Sequence, residues 1–196
     1  MRICFIGSNG FLATTFGKLF DNADVYGTSA PKNYDYKYFC EFDVRNTNFG
    51  FDVFLKYDFI FLFSALGVQS GEANSSKDIF RVNTFFPIEL FNYLSENHFQ
   101  GILTTFGSYF EIGNNNQEIA FDEVDIINSN LKVPNDYCLS KRLLTKYIDS
   151  KKSSIHNWHF ILPTIYGNGE NSNRLIPYII NAISKKKKLI LHRVYK

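Results

Sequence analysis

The sequence contains few cysteines, and their positions exclude two common kinds of small stabilised domain. Cys4, Cys40 and Cys138 are odd in number and widely separated, and no pair has the CxxC spacing. A disulfide framework needs an even set of cysteines, and most zinc sites need ligands in close pairs. We therefore expect no disulfide-rich domain, no metal site and a cytoplasmic protein in a reducing compartment.

The sequence also lacks a membrane-spanning stretch, an N-terminal signal segment and a strong charge of either sign. No uncharged apolar run approaches the roughly 20 residues that span a bilayer, and no charged region precedes an apolar one at the N-terminus. The formal net charge is +2, and the one basic cluster, Lys185–Lys188, is typical of a solvated helix end. We expect neither a membrane nor a nucleic-acid partner.

Short apolar runs that alternate with helical patterns are the main positive feature of the 196 residues. Such alternation is typical of βαβ units with a buried parallel sheet. It predicts an α/β fold with a doubly wound parallel sheet. The predicted strands are Arg2–Ile6, Ala23–Tyr26, Tyr36–Phe42, Asp58–Ser64, Gly101–Thr105 and Trp158–Leu162.

Three stretches between the strands have helical spacing or length. Leu12, Phe16, Leu19 and Phe20 recur as on one helix face, and a second helix includes Leu143–Ile148. The third, Lys77–Asn97, is apolar on more than one face. Because the sheet covers only one of those faces, we expect a partner subunit to cover the rest. The polar stretch Gly113–Asn130 is interpreted as a surface excursion.

A glycine pattern follows the first strand and precedes the first helix. Gly7 suits a tight turn, and Gly10, which lacks a Cβ, allows a pyrophosphate to approach the backbone. The N-terminus of the following helix attracts phosphate groups. Ala13 is small enough for the close packing of helix on strand that a third glycine usually allows. This context predicts a dinucleotide-binding loop.

The end of the second strand bears on the choice of cofactor. Enzymes that prefer NAD place an acidic residue there for the ribose hydroxyls, but Tyr26 is followed by no acid, with Ser29 and Lys32 nearby. Both could bind a 2′-phosphate, which favours NADP over NAD. Asp43, after the third strand, is placed either to accept a hydrogen bond from the adenine amine or to cap a helix.

Tyr137 and Lys141 are four residues apart, and on a helix they share one face. A Tyr hydroxyl has an ordinary pKa of about 10, and a neighbouring cation favours its phenolate form. The pair could pass a proton to or from a carbonyl or hydroxyl oxygen while a nicotinamide exchanges hydride with the adjacent carbon. The spacing alone is common, and its combination with the glycine loop makes it informative.

With these motifs the chain resembles the extended short-chain dehydrogenase/reductase family, which remodels nucleotide-activated sugars, over essentially all of its length. The motifs follow the family's order: Gly7-x-x-Gly10-x-x-Ala13, Asp43, Phe63–Gly67, Asn83, Tyr137-x-x-x-Lys141 and Leu162–Gly167. The resemblance implies a Rossmann fold and catalytic Tyr137 and Lys141, with Asn83 supporting the site. The residues it implies for the cofactor are Gly7, Asn9, Gly10, Phe11, Leu12, Ser29, Asp43, Val44, Ala65, Gly67, Tyr137, Lys141 and Pro163.

The family's third catalytic residue is a Ser or Thr at the end of the fifth strand. Thr105 lies four residues before Tyr109, as in the family's usual spacing, and Ser108 is a rival. We favour Thr105. Sugar dehydratases follow this residue with Asp-Glu, whereas Thr105 precedes Phe106 and Gly107. The resemblance therefore implies a 4-keto reductase or epimerase acting on a nucleotide-linked sugar.

Family members are longer, because a small C-terminal lobe grips the nucleotide-sugar. We expect the dinucleotide-binding domain at residues 1–170 and only the start of this lobe at 171–196, with a helix at Asn171–Lys185 and a strand at Leu189–Arg193. The alternative is a catalytically inactive dinucleotide-binding remnant or fragment. The resemblance also implies a homodimer formed through helices 77–97 and 134–152.

Overall fold

The computed structural model describes residues 1–46, 48–68, 74–115, 119–151 and 155–186. Six parallel strands form one sheet in the order β3-β2-β1-β4-β5-β6, which confirms the predicted doubly wound α/β fold. The strands are β1 (Ile3–Ile6), β2 (Asp24–Gly27), β3 (Tyr38–Glu41), β4 (Phe59–Leu62), β5 (Ile102–Ser108) and β6 (His156–Leu162).

The central strands are apolar throughout because both faces of the sheet are covered. In β1, Cys4 and Ile6 join a core cluster with Phe86 and Leu90 of helix α3 (Phe86–Glu96). Phe5 points the other way and packs in a second cluster with partly buried side chains that include Phe16. Alternate residues of a strand face opposite sides, so every side chain of β1 and of β4 enters one of the two covered layers.

The helices lie close to the predicted positions. They are α1 (Phe11–Gly17), α2 (Ser76–Phe80), α3, α4 (Glu123–Asn128), α5 (Asp136–Ser150) and α6 (Leu175–Ser184). Helices α2 and α3 are continuous through a π-helical turn, Arg81–Phe85, within the predicted helix Lys77–Asn97. Two 3₁₀ turns occur at Phe51–Phe54 and Tyr109–Ile112.

Several boundaries differ from those predicted. Helix α1 ends at Gly17, so Leu19 lies beyond it and is exposed. Strand β5 continues three residues past Thr105, because its pairing with β6 extends to Ser108 opposite Leu162. The polar excursion Gly113–Asn130 contains α4. The strand predicted at Leu189–Arg193 lies outside the described residues.

The chain divides into two units, Met1–Pro163 with the sheet and Thr164–Lys196 with α6. The functional division predicted after residue 170 stays a prediction. None of the helices in the ranges described is both long and apolar enough to cross a membrane. At the β6 edge of the sheet, Trp158 and Phe160 are each about half exposed.

Candidate active site

The predicted site residues lie mostly where parallel strands end. Gly7 follows β1, Ala65 follows β4, and Pro163 follows β6. Since all six strands run in the same direction, these ends share one edge of the sheet, the edge at which doubly wound folds bind ligands. Ser108 is the last residue of β5, whereas Thr105 lies inside that strand.

The turn after β1 requires glycine at its first position. Gly7 has a φ of +103°, which side chains with a Cβ rarely adopt. Its N–H donates to the carbonyl oxygen of Tyr26 at 2.7 Å. A Cβ at Gly7 would lie only 2.7 Å from the backbone nitrogen of Ser64. The turn therefore packs directly on the segment that follows β4.

Gly10 differs, because open space surrounds it. It precedes the first residue of α1 in an extended conformation, and a Cβ there would meet no atom within 4 Å. Phe11 and Leu12 are partly buried, and Ala13 is fully buried under the helix. A ligand that approaches the loop at Gly10 would meet backbone rather than a side chain.

Asn9 ties the glycine loop to the segment after β2. Its side-chain amide donates to the Ser29 hydroxyl at 3.0 Å and to the Ala30 carbonyl oxygen at 3.1 Å. Its amide oxygen accepts from the backbone N–H of Lys32, also at 3.1 Å. Ser8 donates to the Ser29 carbonyl oxygen at 2.7 Å. Asn9 thus orders the two segments predicted to meet the cofactor.

Asp43 follows β3 and forms an ion pair with Arg45. The guanidinium meets both carboxylate oxygens, at 3.0 and 2.6 Å, and the Arg45 N–H also donates to the carboxylate. These hydrogen bonds hold the pKa of Asp43 below its ordinary value. Val44, next to it, is buried. Asp43 is therefore an ionised acceptor in a tight turn, and it caps none of the helices described.

Asn83, in the π-helical turn, joins the segment after β4 to helix α5. Its side chain pairs with the backbone of Leu66 through two hydrogen bonds of 2.9 Å and donates to the Ser140 hydroxyl at 3.0 Å. Thr84 donates to the Ser140 carbonyl oxygen at 2.8 Å. A π turn often marks a functional position. Asn83 is among the site residues predicted from the sequence, and Ser140 is not.

Tyr137 and Lys141 lie on α5, as predicted. The Asn135 side chain caps the helix by accepting from the Cys138 N–H. A Cβ at Gly67 would lie 3.4 Å from the Cβ of Tyr137, so the helix passes close to the segment after β4. Lys141 is only 6% exposed, and its ammonium donates to the Phe106 carbonyl oxygen at 2.9 Å. Burial lowers the pKa of Lys141 to about 8.

The Thr105 hydroxyl is hydrogen-bonded to a partly buried histidine. Its oxygen lies 2.8 Å from Nδ1 of His159, and Nε2 of that ring lies 2.8 Å from the Thr145 hydroxyl. Burial lowers the pKa of His159 to about 4, so the ring is neutral. The single hydroxyl hydrogen of Thr145 can be donated to the Lys141 carbonyl oxygen or to the Glu111 carboxylate. In the tautomer whose Nε2 donates to Thr145, Nδ1 accepts the hydroxyl hydrogen of Thr105.

Ser108 ends β5 and begins the 3₁₀ turn Tyr109–Ile112. Its hydroxyl oxygen accepts from the Phe110 N–H at 3.4 Å, and its own N–H donates to the buried carboxylate of Glu111 at 2.6 Å. In the part of the chain that the structure describes, no group accepts the Ser108 hydroxyl hydrogen. Glu111 and His159 were not among the predicted site residues.

Within the described ranges, no three His, Cys, Asp or Glu side chains lie close enough together to hold a metal ion. The three cysteines are free, and two of them are buried. The polar groups described at the carboxyl edge include hydroxyls, amides, the cations Lys32, Arg45 and Lys141, and the hydrogen-bonded carboxylates of Asp43 and Glu111. This set suits proton transfer and the binding of phosphates and hydroxyls.

Comparison with solved structures finds the same fold. The chain matches a UDP-N-acetylglucosamine 4-epimerase from Methanobrevibacter ruminantium M1 in complex with UDP-N-acetylmuramic acid, with a TM-score of 0.78 and 16% identity. The match covers 97% of this chain and 65% of that one.

Two further structures match at similar levels. A dTDP-glucose 4,6-dehydratase from Bacillus anthracis str. Ames in complex with NAD has a TM-score of 0.66 and 16% identity, over 96% of this chain and 63% of the other. WbmG from Bordetella bronchiseptica, in complex with NAD and UDP, has a TM-score of 0.68 and 14% identity, over 96% and 61%. The chain thus spans less than two thirds of each structure.

Among curated proteins none matches the sequence. The model of the NAD dependent epimerase/dehydratase family matches residues 3–194, which is nearly the whole chain. The site geometry agrees with that match, since a glycine loop, an Asn-supported segment after β4 and a Tyr/Lys pair on α5 are all present. We conclude that this chain belongs to the NAD dependent epimerase/dehydratase family.

Proposed function

We propose that the protein is an NAD(P)-dependent epimerase or 4-keto reductase that acts on a nucleotide-linked sugar. The observation that supports it most strongly is the approach of α5, with Tyr137 and Lys141, to Gly67 at the edge where Gly7 and Gly10 form their loop. The relatives bind UDP-linked sugars or UDP and NAD, as their descriptions state. The substrate class proposed here follows theirs.

In this proposal the residues of the chain bind the cofactor and move one proton. When bound, the nicotinamide accepts or returns the hydride of a sugar carbon. Gly7, Gly10 and the N–H groups at the start of α1 bind the pyrophosphate. Tyr137 takes the hydroxyl proton of the sugar as hydride leaves, and returns it in the reverse step. Lys141 favours the ionised phenol and has two further N–H donors for a ribose.

Ser108 is the better candidate for the third catalytic group, in place of Thr105. A catalytic hydroxyl must donate its hydrogen to the reacting oxygen, and the Thr105 hydroxyl is already hydrogen-bonded to Nδ1 of His159 at 2.8 Å. Both residues are buried, but Ser108 ends β5 at the edge of the sheet, whereas Thr105 lies inside the strand. The sequence-based preference for Thr105 assumed that β5 ends there, whereas the strand continues to Ser108.

We propose NADP as the preferred cofactor, with NAD as the alternative. Residues 28–33, which follow β2, contain no carboxylate to accept the ribose hydroxyls of NAD or to repel a 2′-phosphate. Ser29 and Lys32 are exposed there, and Asn9 holds both of them through hydrogen bonds. Lys32 thus supplies an exposed positive charge beside the glycine loop.

We also propose a cytoplasmic homodimer formed through helices 77–97 and 134–152. Phe85 is 53% exposed, and Leu139 and Leu143 on α5 are exposed as well. These side chains are large and apolar, and a second copy of the chain would remove them from water. The free cysteines are consistent with a reducing compartment.

Gly10→Val tests the cofactor site without disturbing the fold. The new side chain would enter open space, since no atom lies within 4 Å of the added Cβ. We expect a folded chain that no longer binds NADPH or NADH, measured by titration calorimetry. Thr15→Val, on the exposed side of α1, is the matched control and should bind normally. Undiminished binding by Gly10→Val would contradict the proposal.

The alternative function is a dinucleotide-binding module without turnover. The chain spans 65% of the first solved relative, and the alternative concerns these 196 residues as they stand. The two functions share the cofactor site and differ in chemistry. Cofactor binding without interconversion of any nucleotide-sugar, even in a fusion to the remaining third of a relative, would support the module.

A further inference from the structure

A group of polar side chains, all buried except for a partly buried histidine, lies behind the end of β5. It consists of Glu111 in the 3₁₀ turn, Lys141, Arg142 and Thr145 on α5, and His159 on β6, and is called the Glu111 cluster here. The Glu111 carboxyl group is fully buried, at 0% exposure. Buried carboxylates are uncommon unless hydrogen bonds and charges compensate them. The position of Glu111 therefore needs a reason.

Three members of the cluster converge on Gly107. A Cβ at this residue would lie 2.8 Å from Oε1 of Glu111, 2.9 Å from Nε2 of His159 and 3.2 Å from the Thr145 hydroxyl. These groups come from three separate elements, so they meet only because residue 107 has no side chain. The same carboxylate oxygen accepts the N–H of Ser108 at 2.6 Å. Glu111 thus fixes the backbone where β5 ends.

The charges of the cluster point to a second role. Lys141 and Arg142 are both buried, and their hydrogen-bond partners are neutral carbonyl oxygens. Lys141 donates to Phe106, and Arg142 donates to the backbone of Glu111 and Leu131. A buried cation is strongly disfavoured without an anion nearby. The Glu111 carboxylate lies beside Gly107, next to the Phe106 carbonyl oxygen that Lys141 binds, and it opposes the decrease that burial causes in the pKa of both cations.

We propose that Glu111 is a positioning residue of the candidate active site, whose buried carboxylate holds the Ser108 backbone in place and provides the counter-charge that keeps Lys141 protonated. Glu111 acts through these two residues and touches neither sugar nor cofactor. Its catalytic importance rests on the proposed function, whereas its effect on Lys141 does not.

The titratable and charged neighbours of Glu111 come from each element packed against it. Lys141, Arg142 and Cys138 face it from α5, and His159 from β6. The acidic residues of α4 and its N-cap are exposed to solvent. Burial raises the pKa of Glu111. Hydrogen bonds from Thr145 and Ser108 oppose that increase, and so do the charges of Lys141 and Arg142. Burial lowers the pKa of Lys141, and Glu111 opposes that decrease.

The test is a direct titration of Lys141 by NMR in the full chain with ¹³Cε-labelled lysine, with the resonance assigned through Lys141→Arg. Glu111→Gln preserves the size of the side chain and an oxygen acceptor for Ser108, but it removes the charge. We expect the proton-dissociation constant of Lys141 to increase about tenfold or more. Glu111→Asp should restore most of the parent value. Glu96→Gln removes the same negative charge from an exposed position on α3, and it should leave the titration of Lys141 unchanged.

An unchanged Lys141 titration in folded Glu111→Gln would overturn the proposal. If that variant does not fold, a pH titration of the parent chain replaces it. The Ser108 amide resonance and the Lys141 Cε resonance should then shift together as Glu111 ionises, and a Lys141 signal that ignores this ionisation would also overturn it. NADH titration of the parent separates the two proposals, because failure to bind cofactor counts against the proposed function alone.

Discussion

The glycine loop after β1 and the end of β5 lie at the same edge of the sheet but are built in opposite ways. The loop depends on backbone geometry and on space, with a positive φ at Gly7 and open surroundings at Gly10. The β5 end has three buried charged side chains, those of Glu111, Lys141 and Arg142, and the Glu111 carboxylate lies directly beside Gly107. The first region can bind a ligand through N–H groups, and the second can hold and move a proton.

The two regions should therefore be sensitive to different kinds of substitution. A change of shape should damage the glycine loop, whereas a change of charge should leave it intact. The β5 end should respond to charge and pH even when its shape is kept. Both contrasts can be measured with single substitutions.

Removal of the Tyr137 hydroxyl should have the largest effect. In a chain or fusion that turns over a nucleotide-sugar, Tyr137→Phe should lower kcat by about 10²–10⁴-fold, the usual contribution of a positioned acid or base. Cofactor affinity should hardly change, because the phenol meets the sugar rather than the pyrophosphate. Ser108→Ala should also slow turnover, and it should do so more than Thr105→Val. Full activity of Tyr137→Phe would refute the catalytic role.

Within the glycine loop, Gly7→Val should unfold or strongly destabilise the chain, whereas Gly10→Val should not. At Gly7 the positive φ and the contact with Ser64 should together cost about 3 kcal/mol or more. At Gly10 the cost should be about 1 kcal/mol or less, the range of a helix-cap change. Urea unfolding followed by circular dichroism measures both. Equal loss of stability in the two variants would show that Gly10 is also constrained by packing.

The β5 end should lose stability on mild acidification because of His159. Its pKa in the folded chain is about 4, below the ordinary value of 6.5, so the unfolded chain binds the proton more readily. Stability should therefore fall as the pH decreases from about 6.5 towards 4, by on the order of 2 kcal/mol at about pH 5.

The contribution of His159 is isolated by comparison of two variants on the same strand. His159→Gln should lose the acid dependence that this histidine contributes, measured as the change in unfolding free energy between about pH 7 and pH 5. His156→Gln, at an exposed position of β6, should retain it. The same acid dependence in the parent and in His159→Gln would contradict the burial of a neutral ring.

Cofactor choice should give the smallest effect. The lack of a carboxylate after β2 predicts that NADPH binds more tightly than NADH, by about tenfold or less for one exposed charge pair. Lys32→Ala should reduce the difference, and it should do so less at high salt, since exposed charges are screened. Matched titrations of both nucleotides measure it. Tighter binding of NADH by the parent chain would show that Ser29 and Lys32 do not bind a 2′-phosphate.

Contiguous patterns allowed the sheet, the glycine loop and the Tyr137/Lys141 helix to be predicted from the sequence. Each depends on residues close together in the chain, where periodicity or spacing defines the local structure. The end of β5 depends instead on its pairing with β6, which is distant in sequence, and the predicted strand stopped three residues early. Because the strand is three residues longer than predicted, the hydroxyl at the carboxyl edge of the sheet is that of Ser108 rather than that of Thr105.

The Glu111 cluster could be predicted only in part. Ser108 and Glu111 are three apart, the spacing of a capping box, and both of its hydrogen bonds occur in the 3₁₀ turn. That signal was present in the sequence and could have placed Ser108 at an element boundary. His159 had no comparable signal. It alternates with Trp158 and Phe160 along β6 like any strand residue, and packing against Thr105 and Thr145 makes it part of the cluster.

The β6 edge contains the only tryptophan of the chain, Trp158, beside the rings of Phe59 and Phe160. Because a single indole accounts for all tryptophan emission, the fluorescence of this protein reports one place rather than an average. Reduced nicotinamide absorbs in the range in which indole emits, so bound NADH or NADPH would quench Trp158 by energy transfer. The protein thus contains its own optical probe of cofactor occupancy, with no label attached.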